Sequence, residues 1–288
     1  SDGPGDLLVE IAGFDQVLKV FTFEELNKAT ENFSSKSRIK GCVYLGVFSR
    51  EVLAVKRMSV DVSKEVNMLN KTKHFNLIKL HGLCEHQGSF YLVFEYMKNG
   101  SLREWLRKGS SSWSQRIQIA LDVANGLHYL HNFTKPASVH KDINSSNVLL
   151  DGNLRAKIAN FSLARTAAAD MTTRVVGTRG YMAPENTETG IVTPKVDVYA
   201  FGVVMLELIT GKEAVILQDG QEVLLSVAVA SFMEEETKLE SLIHPGLGIE
   251  YALQLAKLSL ICLTRDPESR PSMGEVASTL LKILVHVQ

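Results

Sequence analysis

Two periods of hydrophobic and polar positions run along the chain, and the change between them divides it. Residues 1–20 carry a scatter of apolar positions with no sustained period. Thr22 with Glu25 three residues later has the form of a capping box, and Phe23, Leu26 and Thr30 follow on one face, which predicts a helix over 22–31. The period then drops to two. Val43-Tyr44-Leu45, Val47-Phe48 and Val52-Leu53-Ala54-Val55 are short β-branched or aromatic runs split by Gly46 and Ser49-Arg50, the pattern of an antiparallel hairpin. A short helix over 62–71 and strands over 77–83 and 90–95 complete this part.

Beyond Asn99-Gly100 the helical period returns. Ile117, Ile119, Ala120, Val123, Ala124, Leu127, Tyr129 and Leu130 define a long helix with a wide apolar face. Val148–Leu150 and Leu154–Ile158, separated by Asp151-Gly152, predict a second hairpin on a two-residue turn. From Pro194 onward nearly everything is expected to be helical. The chain therefore divides into a lead segment over 1–32 with one helix, a β-rich part over 33–97 and a larger helical part over 98–288, an α+β arrangement.

Composition narrows the class. Of 288 residues, 45% are apolar and 22% charged, far from the composition of a disordered or fibrous chain. The 31 Lys and Arg against 32 Asp and Glu leave a net charge of −1, so no general polycation is available to a nucleic acid. Charge is nevertheless uneven: residues 36–79 hold ten Lys/Arg against three acids, and residues 213–250 hold one Lys against eight acids. These are two solvated faces or a docking surface. Cys42, Cys84 and Cys262 are odd in number and far apart, which argues against a disulfide framework or a zinc site and fits a reducing compartment. Val223–Met233, apolar and free of charge, runs only 11 residues, and no charge-free stretch exceeds 12. That falls short of the roughly 20 that cross a bilayer. The first residue is Ser1 and no leader pattern is visible, as expected of a piece of something longer.

A series of landmarks follows in one order: Leu53-Ala54-Val55-Lys56, Glu65, His140-Lys141-Asp142 with Asn147, Asn160-Phe161-Ser162, Ala183-Pro184-Glu185, Asp197 and Arg270. Together they resemble the protein kinase signature set over about residues 33–285. Phe23-Glu24-Glu25-Leu26, Asn99-Gly100-Ser101-Leu102, Gly126-Leu127-His128-Tyr129-Leu130-His131 and Gly177-Thr178-Arg179-Gly180-Tyr181 further resemble plant receptor-like kinases. Arg38-Ile39-Lys40-Gly41, the short Lys56–Glu65 gap and Ile158-Ala159-Asn160-Phe161 are similar to the non-catalytic subgroup of the lysin-motif (LysM) receptor kinases.

The resemblance implies a bilobal protein kinase-like fold with a β-rich N-lobe and a helical C-lobe. It also assigns roles. Phosphoryl transfer is mostly positioning and charge neutralisation by Mg²⁺, a strand lysine and backbone amides. Lys56 with Glu65 would steer an ammonium onto the phosphates, or be a plain ion pair tying helix to sheet. Gly41 is all that remains of a glycine-rich phosphate loop, which is shortened by several residues. Asp142 stands at the position of the base and Asn147 at that of a metal ligand. Lys141 replaces an Arg and Asn144 a phosphate-contacting Lys, and Asn160 replaces the Asp that anchors Mg²⁺, so a dipole stands where a charge is needed. Ser162 replaces a Gly. With Ala54 and Leu149, the residues Lys56, Glu65, Asn147 and Gly41 would form a vestigial nucleotide pocket. Leu69, Leu80, His140 and Phe161 with their anchor Asp197, and the pair Glu185–Arg270, are the scaffolding expected of an intact fold.

The expectation is therefore a pseudokinase with no predicted catalytic residue, no metal, and weak or absent ATP binding. It would sit on the cytoplasmic side of the plasma membrane, attached through a span absent from this chain, and signal with a catalytically active LysM receptor kinase co-receptor in chitin or lipo-chitooligosaccharide perception, without nucleic acid. A weakly active Ser/Thr kinase is the alternative, since Asp142, Asn147 and Lys56 remain; a nucleotide-sensing module is a third reading. Thr172, Thr173 and Thr178, flanked by Arg165, Arg174 and Arg179, are candidate regulatory phosphosites. The helix over 22–31 and the basic small lobe are candidate docking surfaces, with Phe23 and Leu26 replaceable by polar residues at little cost to the fold.

Overall fold

Alternation along Val52–Met58 buries Leu53 and Val55 and leaves Ala54 and Lys56 half-buried on the opposite face, as a strand with one face on a core requires. This strand is the middle of the smaller of two compact units. A computed structural model describes residues 18–109, 111–166 and 176–288, and the chain divides between Lys98 and Asn99.

The first unit runs β1 (Lys19–Val20), α1 (Phe23–Ala29), β2 (Arg38–Lys40), β3 (Val43–Val47), β4 (Val52–Met58), α2 (Ser63–Lys71), β5 (Leu80–His86) and β6 (Ser89–Glu95). The strands form one sheet in the order β1-β5-β6-β4-β3-β2, antiparallel except for β1 on β5. Strand β5 lies three residues later than the pattern predicted, because Leu77 closes a turn onto the His74 carbonyl and a Gln87-Gly88 turn sets the far end.

The lead segment belongs to this unit. Helix α1 is capped by Thr22 Oγ1, which accepts from the Glu25 N–H at 3.1 Å, and ends at Ala29, short of the expected residue 31. The left-handed φ values of Glu31, Asn32 and Phe33 (53°, 60° and 51°) break it. Leu26 is fully buried and clusters with Phe21, Leu53, Val55, Cys84, Tyr91 and Val93, while Phe23 and Phe33 pack against them. Gly82 makes this possible: a Cβ there would stand 2.1 Å from the Lys19 carbonyl, so only glycine lets β1 lie against β5.

The second unit runs α3 (Leu102–Arg107), α4 (Trp113–Asn132), β7 (Ser138–Val139), β8 (Val148–Leu150), β9 (Ala156–Ile158), β10 (Arg165–Thr166), α5 (Pro184–Thr189), α6 (Lys195–Thr210), β11 (Val215–Gln218), β12 (Gln221–Leu224), α7 (Leu225–Phe232), α8 (Glu236–Leu242), α9 (Ile249–Cys262), a 3-10 turn at Pro267–Ser269 and α10 (Met273–Val287). Helix α6 is apolar on nearly every side and buried from Val196 to Thr210 with one break at Tyr199, and α4, α7 and α9 pack against it. Full capping boxes start α4 (Ser112 with Gln115) and α10 (Ser272 with Glu275). No helix among the described residues is long and apolar enough to cross a membrane.

Two turns differ from expectation. The hairpin of β8 and β9 is not closed by Asp151-Gly152 alone: residues 151–155 form the loop, with Asp151 Oδ1 accepting from the N–H groups of Asn153 (2.8 Å) and Arg155 (2.9 Å). The cause is Asp122 on α4, which holds Arg155 bidentately and also takes the Ala156 N–H at 2.9 Å, so the second strand cannot start before Ala156. Conversely, β11 and β12 interrupt the helical second half. Asp219 and Gly220 adopt φ of 52° and 78°, a two-residue turn closed by the Gln218–Gln221 pair.

Candidate functional site

Asp197, in the first turn of α6 and 1% exposed, fixes the loop after β7. Its carboxylate accepts from the His140 N–H at 2.9 Å, the Lys141 N–H at 3.0 Å and His131 Nε2 at 2.8 Å. Burial alone would push this carboxyl up, but the His131 hydrogen bond and the neighbouring imidazoles hold it below the usual carboxylate value. His140 is fully buried, and that burial lowers its pKa and keeps the ring neutral. Its Nδ1 accepts from the Asp142 N–H at 3.1 Å, so Nε2 carries the proton and donates to the Ala159 carbonyl at 2.9 Å. One imidazole thus ties the 140–147 loop to the segment bearing Asn160, and the Phe161 ring lies edge-on to it at 5.0 Å.

Asp142, Asn144, Asn147 and Asn160 come together in this unit. Asp142 Oδ1 accepts from Thr178 Oγ1 at 2.7 Å and from Asn144 Nδ2 at 3.1 Å, and Oδ2 accepts from Asn147 Nδ2 at 3.3 Å. Asn144 is integral to the loop: Oδ1 accepts from the N–H groups of Ser146 (2.9 Å) and Asn147 (3.2 Å), while Nδ2 also donates to the Asp142 carbonyl (3.1 Å) and to Thr178 Oγ1 (3.2 Å). Asn160 has φ of 60°, a left-handed conformation that Asn tolerates better than most residues. Its Nδ2 reaches Asn147 Oδ1 at 3.4 Å, and its Oδ1 accepts from Ser162 Oγ at 2.8 Å.

This donor set does not fit Mg²⁺. The ion demands octahedral oxygen ligands and favours one or two carboxylates with phosphate oxygens. Here the Asp142 carboxylate, which Asn147 bonds, is engaged by three side-chain donors, and the side-chain oxygens of Asn147 and Asn160 each already accept a hydrogen bond. Among the described residues no three His, Cys, Asp or Glu side chains are grouped to hold a metal.

The other expected pocket residues lie in the first unit, except Leu149, which is half-buried on β8 between buried Val148 and Leu150. Ala54 and Lys56 share one face of β4. Glu65 lies buried on α2 in the same unit. Gly41 sits at φ 54° in the tight β2–β3 hairpin, and Arg38 Nε donates to its carbonyl at 2.7 Å. Of the candidate phosphosites, Thr172 and Thr173, with Arg174, lie outside the described residues. Thr178 is exposed and bound to Asp142; Arg165 donates to the Ala164 carbonyl, and Arg179 pairs with Glu222 at 2.6 Å.

Sequence reasoning missed the buried network beneath this site. Glu207, fully buried on α6, accepts from Arg103 Nη1 (2.8 Å), Ser145 Oγ (2.6 Å) and Tyr181 OH (2.5 Å). It joins α3, the 140–147 loop and the segment after Thr178. Burial drives its carboxyl up to about 7 despite these donors, and raises the Tyr181 phenol as well. The partners are separated by 104, 62 and 26 residues, so no local pattern announces them. The Glu185–Arg270 pair forms as expected, bidentate at 2.6 and 2.8 Å.

Residues 49–280 match the model of the family described as protein tyrosine and serine/threonine kinase. Protein LYK5 of Arabidopsis thaliana is 44% identical over 93% of this chain and 43% of its own length. LysM domain receptor-like kinase 3 of Medicago truncatula is 40% identical over 91% of this chain and 46% of that protein, and chitin elicitor receptor kinase 1 of Arabidopsis thaliana 41% over 90% and 46%. The chain thus spans less than half the length of these relatives. With its β-sheet N-lobe, its helical C-lobe and this similarity, the chain belongs to the protein tyrosine and serine/threonine kinase family as a kinase domain related to those of the LysM receptor-like kinases.

Proposed function

We propose that the chain is the intracellular pseudokinase domain of a plasma-membrane LysM receptor, held at the cytoplasmic side and acting by contact as scaffold or allosteric partner of a catalytically active receptor kinase. A relative named for chitin elicitation supports perception of chitin-type or lipo-chitooligosaccharide ligands by the whole receptor. The observation that carries the non-catalytic reading is the amide set around Asp142. Asn144 and Asn160 supply dipoles where transfer needs a cation and a metal-binding carboxylate, and their oxygens and those of Asp142 are engaged with one another and with Thr178 and Ser162. Losing the metal anchor removes several kcal/mol of transition-state stabilisation, which is orders of magnitude in rate. ATP binding is weak or absent on this reading, since the hairpin at Gly41 offers few amides to a triphosphate.

The test is radiolabel autophosphorylation with Mg²⁺ and ATP beside an Asp142→Asn control, together with the melting temperature measured with ATP, with and without Mg²⁺. Equal incorporation in both proteins supports the proposal. Incorporation that disappears in the control establishes instead a weakly active Ser/Thr kinase, the reading that the retained Asp142, Asn147 and Lys56 keep open.

A further inference from the structure

Arg116 lies one turn into α4 and is 1% exposed. Its Nη1 donates to the Leu208 carbonyl at the C-terminal end of α6 at 2.5 Å, and its Nε donates to Ser111 Oγ at 2.7 Å. Nη2 is buried without a hydrogen-bond partner, and no carboxylate pairs with this guanidinium among the described residues. Leaving a buried cation with only a hydroxyl, a carbonyl and the Trp105 ring at 5.7 Å is costly, and burial with no offsetting anion pulls its pKa down to about 10.

The edge that lacks an anion is a defined one. Nε and Nη2 share one edge of the guanidinium fork, the edge with which Arg155 grips both oxygens of Asp122 at 2.9 and 2.7 Å in the same unit. In Arg116 that edge meets a single hydroxyl oxygen. Ser111 directly precedes Ser112, the N-cap of a 20-residue helix whose first turn holds no acidic residue, so the positive end of the α4 dipole also lacks an anion. Ser111 is half-buried and follows the exposed Lys108 and half-exposed Gly109.

We propose that Ser111 is a phosphorylation site and that Arg116, with the amino end of α4, is the receptor built for its phosphoryl group. A serine/threonine kinase acting in trans would transfer the γ-phosphoryl of a nucleoside triphosphate. The Ser111 Oγ–P bond forms, the P–O bond to the β-phosphate breaks, the nucleoside diphosphate leaves, and the hydroxyl proton passes to the kinase's base. Two phosphoryl oxygens then occupy the Nε–Nη2 edge, supplying the anion that the buried cation lacks. Because Nη1 is fixed to Leu208, the modification ties the start of α4 to the end of α6. The inference does not depend on whether the chain is itself catalytic.

The test installs phosphoserine at position 111 of the full chain. A free phosphoserine has a second pKa of about 6. Phosphorus NMR should place that of the modified chain below it, and the melting temperature should rise by about 2–4 °C. In an Arg116→Lys background, which lacks the fork, both effects should vanish. If that variant does not fold, protection of the phosphate from a phosphatase in the native chain, lost in urea, reads the same contact. A pKa at or above that of free phosphoserine, or a lower melting temperature, overturns the proposal. So does phosphate mapped by mass spectrometry to Ser110 or Ser112 but not Ser111 after incubation with an active receptor-type kinase. Inorganic phosphate at millimolar concentration producing the same rise in the unmodified chain would assign the site to a free anion and also overturn it.

Discussion

Thr178 donates its hydroxyl to Asp142 Oδ1 at 2.7 Å, and Asn144 Nδ2 bonds both, closing a triangle around the residue that stands at the base position. A lysine at 144 has three donors and no acceptor, so it cannot take the N–H groups of Ser146 and Asn147 that Asn144 Oδ1 now accepts. The loop is built around the amide.

Repair one residue at a time should therefore fail. Asn144→Lys is expected to lower stability by roughly 1–3 kcal/mol, through two backbone donors left without their partner, and to give no phosphate incorporation. Asn160→Asp restores a carboxylate without the phosphate loop, and damage in a cooperating site is not additive. Autophosphorylation by either single variant at a typical kinase rate of about 1 per second or more would show that the loop matters less than argued.

The lead helix is a packing element, which reverses the expectation that Phe23 and Leu26 could be made polar at little cost. Leu26 is 0% exposed, and Phe23 stacks on His86 with ring centroids 3.9 Å apart. Leu26→Ala should cost about 2–5 kcal/mol, and Gly82→Ala should displace residues 18–21 from β5, because its Cβ would meet the Lys19 carbonyl at 2.1 Å. Denaturant melts and hydrogen exchange of residues 18–29 check both. An unchanged melt in Leu26→Ala would return this helix to the list of docking surfaces.

Much of this fold was legible because its signals are local. The β4 alternation, the Thr22 cap of the lead helix and the two-period division each lie within one short window of sequence. What was not legible depends on partners far along the chain. Asp122 delays β9 by capturing Arg155 33 residues away, and Glu207 gathers three donors from three elements. The β11–β12 hairpin is the exception: its Asp-Gly turn was in plain view but embedded in an apolar stretch that read as helix. At the site, motif order located Asp142, Asn147 and Asn160.

Arg270 shows how much the scaffold rests on a single buried cation. It donates to both Glu185 oxygens and to the carbonyls of Thr264, Lys195 and Arg265, with its side chain fully buried. Arg270→Ala strands the Glu185 charge and three carbonyls, and should cost roughly 3–5 kcal/mol. Arg270→Lys should recover only part of this, since an ammonium cannot reproduce the bidentate fork. Chemical denaturation of the three proteins at one pH gives the comparison; a lysine variant as stable as the parent would show the fork to be dispensable.

Glu207 makes stability depend on pH in a direction opposite to that of a surface carboxylate. Burial raises its pKa from 4.5 to about 7, so the folded state favours the protonated acid more than the unfolded chain does. Its contribution is fully present below about 4.5 and is lost as the pH rises through about 7, a change on the order of 3 kcal/mol. Arg103 keeps two carbonyl acceptors when Glu207 is neutral, since it also donates to Gly211 at 3.1 Å and Lys212 at 3.2 Å at the end of α6, although its Nε has no partner. His140 works the other way: burial lowers its pKa from 6.5, so its contribution is lost as pH falls below that value. Both proteins in the comparison carry His140, and its effect cancels. The expected outcome is that the unfolding free energy of the parent, relative to Glu207→Gln, declines between pH 4.5 and 8, since the amide has no proton to lose in that window. Parallel stability curves for the two proteins would mean that the Arg103, Ser145 and Tyr181 donors outweigh burial and keep Glu207 ionised throughout.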